Sequence, residues 1–302
     1  MDIIKPITVT DSVLTSTNIA ENDYAEWNSG TTYAIGDKVI SVTTHRIYES
    51  VTASNLNNDP TTDDGTNWLN IGATNRWKAF DQYISDPVSN TTSIQYTLTP
   101  PNGSIPSAVA LLNLKGISAN VTVTDSVDGE VYNTDIDLLD NRNIVDWYTY
   151  FFEEQVQREE ALFLDIPPYI GAVVSVTVQE EVGQTAELGQ LIFGFLSDVG
   201  LTVYGTSIGI EDYSIKDRDA FGNAIIVQRN FSQTVDFDVQ FETQNARKIQ
   251  KTLAALRATP VVYLGSTDVS YGTLVYGFYR RFDITLETPS YAFASIEVEG
   301  LT

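Results

Sequence analysis

One serine in this sequence has the spacing of a catalytic nucleophile. Ser207 lies at the centre of Gly205-Thr206-Ser207-Ile208-Gly209, the Gly-x-Ser-x-Gly spacing of a nucleophile elbow in serine hydrolases. Such a serine needs a neighbouring base, and the single histidine, His45, is far from it along the chain. The sequence therefore favours a glycine-flanked turn at Ser207 over a hydrolytic site.

Paired carboxyl groups could support a second kind of hydrolysis. Glycosidases place two carboxyl groups on either side of the bond that breaks. The candidate pairs are Glu153 with Glu154, Glu159 with Glu160, and Asp135 with Asp137. In a chain with 40 acidic residues such pairs also arise by chance, and no internal repeat is visible. We predict that the chain is not an enzyme, and keep a polysaccharide-degrading enzyme as the third alternative.

Metal and cofactor motifs are the next possibility. Asp59, Asp63 and Asp64 lie in a polar loop, but their spacing differs from the ordered Asp-x-Asp-x-Asp calcium loop. A solvated acidic turn is the favoured interpretation. One histidine and no cysteine exclude a multi-histidine or thiolate site within one chain. Because phosphate- and dinucleotide-binding motifs are also absent, we predict no cofactor and no metal.

The charge balance limits the partners that this chain can take. Its 40 acidic and 17 basic residues give a formal net charge of −23. Nucleic acids and anionic membranes both reward clustered lysine and arginine, so neither is an expected partner. No apolar run reaches the roughly 18 residues that span a bilayer, and Met1 to Pro6 lack the pattern of a signal peptide. We therefore expect no nucleic acid partner and no membrane insertion.

Abundant Tyr, Thr, Val and Ile favour strands in all parts of the chain. Residues 1–23 are rich in Thr and Ser, and the segment 7–10 alternates like a strand. This segment is either an N-terminal arm that reaches a neighbouring subunit or a strand of the chain's own sheet, and both alternatives stay open.

Residues 72–190 contain many short strands with turn signals between them. Segments 92–98 and 120–124 alternate, 109–114 is a nearly continuous apolar run, and 147–152 and 172–178 are further predicted strands. This pattern predicts a β-sandwich or jelly roll. For Trp77 and Trp147 a place in its core is favoured, and a sugar-binding platform is the alternative. The run Asn75-Arg76-Trp77-Lys78-Ala79-Phe80-Asp81, followed by Ala110 to Leu114, resembles galactose-binding-like (discoidin-type) sandwiches.

Residues 191–302 combine strands with one convincing helix, predicted from Asn245 to Ala258. The buried stripe of this helix has helical spacing and consists of Ala246, Ile249, Leu253 and Leu256. Pro260 ends the helix, and the segment is therefore predicted to be α+β. Arg247, Lys248 and Lys251 lie off the stripe and are either a subunit contact or a solvated helix face.

A small aromatic module is predicted at residues 24–71. Its pattern is Trp27, then Tyr33 shortly before Gly36-Asp37, then Tyr48, Pro60 and Trp68. This resembles the small chitin- and cellulose-binding modules of bacterial chitinases and of many phage tail proteins. The resemblance implies a hairpin-based domain in which Trp27, Tyr33, Tyr48 and Trp68 either bind carbohydrate or hold the core together. The interval 49–59, where ligand-stacking aromatics usually lie in this family, has none.

The last segment resembles a C-terminal domain that recurs in tail and tail-tip proteins of long-tailed bacteriophages. The stretches that carry this resemblance are Gly209-Ile210-Glu211-Asp212-Tyr213, Asp219-Ala220-Phe221-Gly222-Asn223, Leu256 to Pro260, Tyr276 to Tyr279 and Ile296 to Leu301. The expected fold is mainly β: a carbohydrate-binding-like module, a β-sandwich and an α+β tail-attachment domain, in that order after the N-terminal segment.

The resemblances imply a structural protein of a long-tailed phage virion, at the tail tip or baseplate. Such a protein is made in the host cytoplasm and assembles with other phage tail proteins and with copies of itself as a homo-oligomer. Contact with a host cell-surface glycan is a further expectation. The main alternative is a dedicated receptor- or glycan-binding protein.

Overall fold

A computed structural model describes residues 1–140, 146–152, 156–218, 220–267 and 271–301. The predicted mainly β fold with one main helix is confirmed. The candidate pair Glu153 and Glu154 lies outside the described residues.

Short strands occupy the first quarter of the chain. They are β1 (Asp2–Pro6), β2 (Leu14–Thr17), β3 (Thr32–Tyr33), β4 (Lys38–Ser41), β5 (Arg46–Ser50), β6 (Asn55–Leu56) and β7 (Trp68–Ala73). Strands β4, β5 and β7 form one small sheet, and β3 pairs with β6. These five strands form the small module, whose own core lies between them.

The middle of the chain supplies the sandwich. After a 3₁₀ turn at Lys78–Phe80, its elements are β8 (Val88–Thr91), β9 (Ser93–Leu98), β10 (Ala108–Lys115), β11 (Ser118–Asp125), β12 (Gly129–Asp137), β13 (Leu139–Asp140), α1 (Trp147–Phe152), β14 (Val156–Gln157), β15 (Glu160–Phe163), β16 (Val173–Gln179) and β17 (Thr185–Asp198). One sheet has the order β12-β11-β16-β9-β2, and it covers β10, β15 and β17 of a second sheet.

The C-terminal part extends that second sheet. Its elements are β18 (Leu201–Thr202), β19 (Ser207–Asp212), β20 (Ile215–Arg218), β21 (Ala224–Val227), β22 (Phe231–Glu242), α2 (Ala246–Ala255), β23 (Val261–Leu264), β24 (Leu274–Thr285) and β25 (Tyr291–Gly300). The long sheet runs β15-β10-β17-β1-β23-β24-β25-β22-β18, with β8 beside β17 and β19 beside β22.

Strand β1 joins the two halves of this long sheet. Ile4 pairs with Leu196 of β17 on one side and with Val262 of β23 on the other. Ile3 and Ile4 are fully buried and fill opposite faces of the sheet. Residues 2–6 are therefore a central strand of the chain's own sheet, because both strand edges and both faces are already occupied. Among the described residues, 7–10 form no strand, although their sequence alternates like one; the next strand is β2, which pairs with β9 of the sandwich.

The sandwich strands follow the predicted patterns. Strands β11 and β16 alternate buried and half-buried residues, as expected when one face of a sheet meets a core. Strand β10 is buried on both faces: Val109 and Leu111 face the sandwich core, while Ala110 and Leu112 face the opposite side of the curled sheet. Strand β17 runs through residue 190, so the long sheet continues across the predicted domain boundary there.

Helix α2 packs on the C-terminal half of the long sheet. Ile249, Leu253 and Leu256 are buried against β22, β23 and β25, as the helical stripe predicts. The helix is shorter than predicted and is preceded by a 3₁₀ turn at Thr243–Asn245. Ala258 has a positive φ of 55°, which ends the helical path before Pro260.

Candidate functional site

The conspicuous aromatics of the small module form its core. Tyr33, Tyr48 and Trp68 are only 9%, 7% and 2% exposed, and Trp27 packs against them partly buried. The rings of Tyr33 and Trp68 meet edge to face, 5.1 Å apart, and Trp68 Nε1 donates to the Asn58 carbonyl oxygen at 2.8 Å. The structure thus favours the core alternative for these residues, because buried rings present no flat face on which a sugar could stack.

The acidic loop of the module is built around Asp63. Its carboxylate accepts hydrogen bonds from the backbone N–H groups of Gly65, Asn67 and Trp68, each at 3.0 Å. Slight burial acts to raise the pKa of Asp63, but these bonds and that from the Asn67 side chain outweigh it and hold the pKa below its usual value. Asp63 therefore orders the loop that carries Trp68 into the core.

The other acidic residues of this loop also cap turns. Asp59 accepts from the backbone N–H and the hydroxyl of Thr61, both at 2.8 Å, and Asp64 accepts from Thr66. Across the described ranges, no three histidine, cysteine or acidic side chains converge in a way that could hold a metal ion.

His45 forms a joint between the module and the rest of the chain. Its ring stacks on Trp77 with centroids 4.0 Å apart, and its two nitrogens lie 3.0 Å from Glu21 and 3.1 Å from Asp11. His45 is in a turn with φ of 55°, and its side chain is largely buried. We call Asp11, Glu21, His45 and Trp77 the joint.

The nucleophile motif does not form a hydrolytic site. Ser207 lies at the start of β19, and its hydroxyl donates to Asp236 at 3.1 Å. Both nitrogens of His45 are engaged by carboxylates of the N-terminal segment. No imidazole therefore lies beside Ser207. Its hydrogen bond with Asp236 instead links strands β19 and β22.

Two of the three carboxylate pairs are within the described residues. Asp135 and Asp137 are exposed on β12, where Asp137 caps the backbone N–H of Leu139. Glu159 is exposed, whereas Glu160 is partly buried at the start of β15 and lines a cleft with a volume of about 350 Å³. Of these carboxyl groups, the structure places only those of Glu159 and Glu160 in a concave site.

This cleft lies where the curled long sheet brings its two halves together. Leu112 of β10 lines one wall, and Leu274 and Tyr276 of β24 line the other, with Phe231 and Leu301 beside them. Burial raises the pKa of Glu160 to about 7, and its neighbour Glu159 adds to the shift. Burial, with a smaller contribution from Asp81, raises the pKa of Tyr276 to about 12.

A kink in the sheet shapes one end of the cleft. Asn113 has a positive φ of 52°, and its side-chain amide donates to the Ile84 carbonyl oxygen at 2.7 Å. Opposite it, a Cβ on Gly189 would lie 2.6 Å from that carbonyl oxygen, so only glycine fits. The Ile84 loop is thereby held at the cleft, a feature that the glycine and asparagine signals of the sequence did not reveal.

Helix α1 carries the most exposed aromatic side chains of the sandwich. Residues 147–152 were predicted to be a strand with Trp147 in the core, and both predictions are wrong. Trp147, Tyr148, Phe151 and Phe152 are 79%, 72%, 67% and 74% exposed. Because W-Y-T-Y-F-F has no alternation of polar and apolar residues, it does not specify a half-buried strand. We call these four side chains the aromatic face.

The C-terminal part carries an apolar ribbon. Strands β20 and β21 pair only with each other among the described residues, from Ile215 with Val227 to Arg218 with Ala224. All four residues of each strand are exposed, including the adjacent Ile225 and Ile226. Since neighbouring residues of a strand point to opposite faces, the β20–β21 ribbon presents apolar side chains on both faces.

The predicted basic group on α2 is present on the surface. Arg247, Lys248 and Lys251 are exposed, and within the described chain none of the three side chains forms a hydrogen bond or an ion pair. These cations are therefore available to a partner, and equally consistent with a solvated helix face.

Comparison with known proteins gives no further constraint. No family model, no curated protein and no solved structure matches this chain. Neither helix in the described ranges is long and apolar enough to cross a membrane.

Proposed function

We propose that this chain is a non-enzymatic structural protein that assembles through protein–protein contacts, in the tail tip or baseplate of a long-tailed phage. The observation that supports assembly most is the β20–β21 ribbon, which exposes apolar side chains on both of its faces. A two-stranded ribbon is marginally stable alone in water, and exposed apolar surface of this kind marks interaction sites. The partner in this proposal is a second copy or another tail protein.

Charge supports the same proposal. The chain has a net charge of −23, and Arg247, Lys248 and Lys251 form a local basic group on α2. Such a group fits the acidic surface of a neighbouring copy. Contacts of this type weaken as salt screens them, with a Debye length of about 8 Å at physiological ionic strength. The placement in a phage tail rests on the sequence resemblances alone.

Sedimentation velocity over a range of protein concentrations tests the assembly. We expect the wild-type chain to associate and the double variant Ile225→Ser/Ile226→Ser to remain monomeric, because the variant loses the apolar contact. The matched control is Val182→Ser, which removes an apolar side chain that is 91% exposed on another part of the surface. A ribbon variant that associates as well as wild type would contradict the role of the ribbon.

Electron cryomicroscopy of intact particles tests the placement. The proposal predicts density for this chain at the tip or baseplate of a phage tail, in several symmetric copies. A position away from any tail contradicts it.

The aromatic face favours contact with a host glycan as a second candidate function. Its four rings form two pairs, each one helical turn apart. The ring centroids of Trp147 and Phe151 are 6.2 Å apart, and those of Tyr148 and Phe152 are 5.0 Å apart. Exposed flat rings are the surfaces on which apolar sugar faces stack. Repeated copies in a particle would strengthen a weak contact through effective concentration.

A glycan array with the assembled protein tests this second candidate. We expect a retained glycan to be lost in Trp147→Ala/Tyr148→Ala and kept in Trp27→Phe, which alters only the module. Retention that depends on Trp27 and not on Trp147 would contradict it.

A further inference from the structure

We infer that the cleft beside Glu160 is a binding site for a basic side chain, lysine or arginine, of another polypeptide. The inference goes beyond assembly through the β20–β21 ribbon, which does not require the cleft. It starts from the position of one carboxyl group in the curled sheet.

Strand pairing directs Glu160 into the cleft. Glu160 of β15 lies directly opposite Leu112 of β10, so the two side chains share a face of the sheet. Leu112 belongs to the apolar cluster on the inner side of the curled sheet, as does Leu162, two residues after Glu160. The carboxyl group therefore ends an apolar stripe that leads into the space between the two halves.

Glu160 has no partner within the described chain. Its carboxyl group forms neither a hydrogen bond nor an ion pair there, and the residues that line the cleft include no lysine, arginine or histidine. The titratable residues in the cleft lining besides Glu160 are Glu159, next in the chain, and Tyr276 of β24, whose pKa is raised by burial and by Asp81. A partly desolvated carboxylate without a counter-charge is unfavourable, and an entering cation would remove that penalty.

The walls of the cleft suit the stem of a basic side chain. Leu112, Leu274 and Leu301 offer apolar surface to a chain of methylene groups. The rings of Phe231 and Tyr276 stand beside them and can favour a cation through their π faces. An anionic ligand would be repelled by Glu159 and Glu160.

A neutral sugar fits the same cleft less well. Sugar sites need several free hydrogen-bonding groups, but the Asn113 and Gln233 amides already donate to the carbonyl oxygens of Ile84 and Gly272, at 2.7 Å and 3.0 Å. Asn230 is the remaining amide in the lining. A single carboxyl group between apolar walls instead suits a lysine or arginine side chain, which carries one cation at the end of an alkyl stem.

Binding is expected to depend on pH near neutrality. The pKa of Glu160 is about 7 because of burial. The ionised fraction of such a group rises from roughly one-tenth at pH 6 to nine-tenths at pH 8. Affinity for a cation should therefore rise about tenfold over this interval, with release of a proton on binding.

The test is a titration of the full chain, followed by NMR of labelled leucine methyl groups. The probe is Nα-acetyl-lysine N-methylamide, and its uncharged match is Nα-acetyl-norleucine N-methylamide. We expect the lysine probe to shift the Leu112 and Leu274 resonances, more tightly at pH 8 than at pH 6, and the norleucine probe to leave them unchanged. Nα-acetyl-arginine N-methylamide should act like the lysine probe.

Two variants make the test specific. Glu160→Gln keeps the shape and removes the charge, and we expect it to fold, because it relieves a desolvation penalty, and to lose the lysine-induced shifts. Glu181→Gln changes an exposed glutamate elsewhere on the surface and should bind like wild type. Unchanged binding to a folded Glu160→Gln chain, equal shifts with norleucine, or no shift at a saturating concentration would each overturn the inference.

Discussion

Two parts of this molecule are built from the same aromatic residues and use them in opposite ways. In the small module Tyr33, Tyr48 and Trp68 are buried, whereas in helix α1 Trp147 and Phe152 are more than two-thirds exposed. The module wraps its rings with paired strands and with turns capped by Asp59, Asp63 and Asp64, while α1 carries its rings on a six-residue helix.

Aromatic content alone therefore does not locate a binding surface. A domain of about 50 residues has little interior, so its large side chains are needed to form a core. The module therefore uses its aromatics for stability. The aromatic face of α1 is exposed and contributes little to a core.

The largest expected effect is that of Trp68→Ala on the module. Removing a fully buried indole from a core of this size should lower the free energy of unfolding by about 4 kcal/mol. Denaturant unfolding, followed by NMR signals of module residues, measures it. Stability within 1 kcal/mol of wild type would show that the module does not depend on this core.

His45→Ala should have the next largest effect, at the joint. Glu21, whose side chain is 8% exposed, would lose its hydrogen bond with the imidazole, and Trp77 would lose the stacked ring. We expect the free energy of unfolding to fall by about 2 kcal/mol, because the hydrogen bond to the largely buried Glu21 side chain and the ring stacking are both lost, while Glu21 keeps only its bond from Thr74. Amide hydrogen exchange in the module and in strands β1 and β2 measures this loss of stability. Unchanged protection from exchange in both regions would contradict a stabilising role of the joint.

Asp63→Asn should act through the loop that carries Trp68. The folded-state pKa of Asp63 lies below its unfolded value, so its contribution is complete above the unfolded pKa and is lost as pH falls through the folded pKa. We expect Asp63→Asn to lower the free energy of unfolding by about 1 kcal/mol at pH 7. On acidification below pH 4 the variant should lose less stability than wild type, because it has no carboxylate to protonate at this position. Unfolding curves from pH 7 to pH 3 measure both effects, with Asp135→Asn on β12 as the control. Identical acid profiles for Asp63→Asn and wild type would contradict the role of the Asp63 carboxylate in ordering the loop.

The smallest expected effect is that of Trp147→Ala on stability. A change at an exposed position should alter the free energy of unfolding by less than about 0.5 kcal/mol, because little buried contact is lost. The same denaturant experiment used for Trp68→Ala measures it. A loss comparable to that of Trp68→Ala would remove the contrast between the two regions.

Local patterns predicted much of the fold. Alternation in β11 and β16, the apolar run of β10 and the helical stripe of α2 all produced the expected burial. In these segments the pattern repeats over several residues, so periodicity alone identifies the buried face. The six-residue aromatic segment at α1 has no such repeat, which is why its strand prediction was wrong.

The candidate sites were harder to predict because they depend on residues distant in sequence. Glu160 was one of several acidic pairs, and only its pairing with Leu112 and the approach of β24 place it in a cleft. The sequence around His45 gave no sign of its contacts with Asp11 and Glu21, from the N-terminal segment, or with Trp77, from the start of the sandwich.

The strand-rich class, the acidic charge and the helix with its basic side chains follow from composition and from local periodicity. Contacts between distant segments are what make β1 join the two halves of one sheet, bury the aromatics of the module and leave those of α1 exposed. Burial is a property of packing between distant segments. The same tryptophan is therefore a core residue or a surface residue according to what the fold places against it.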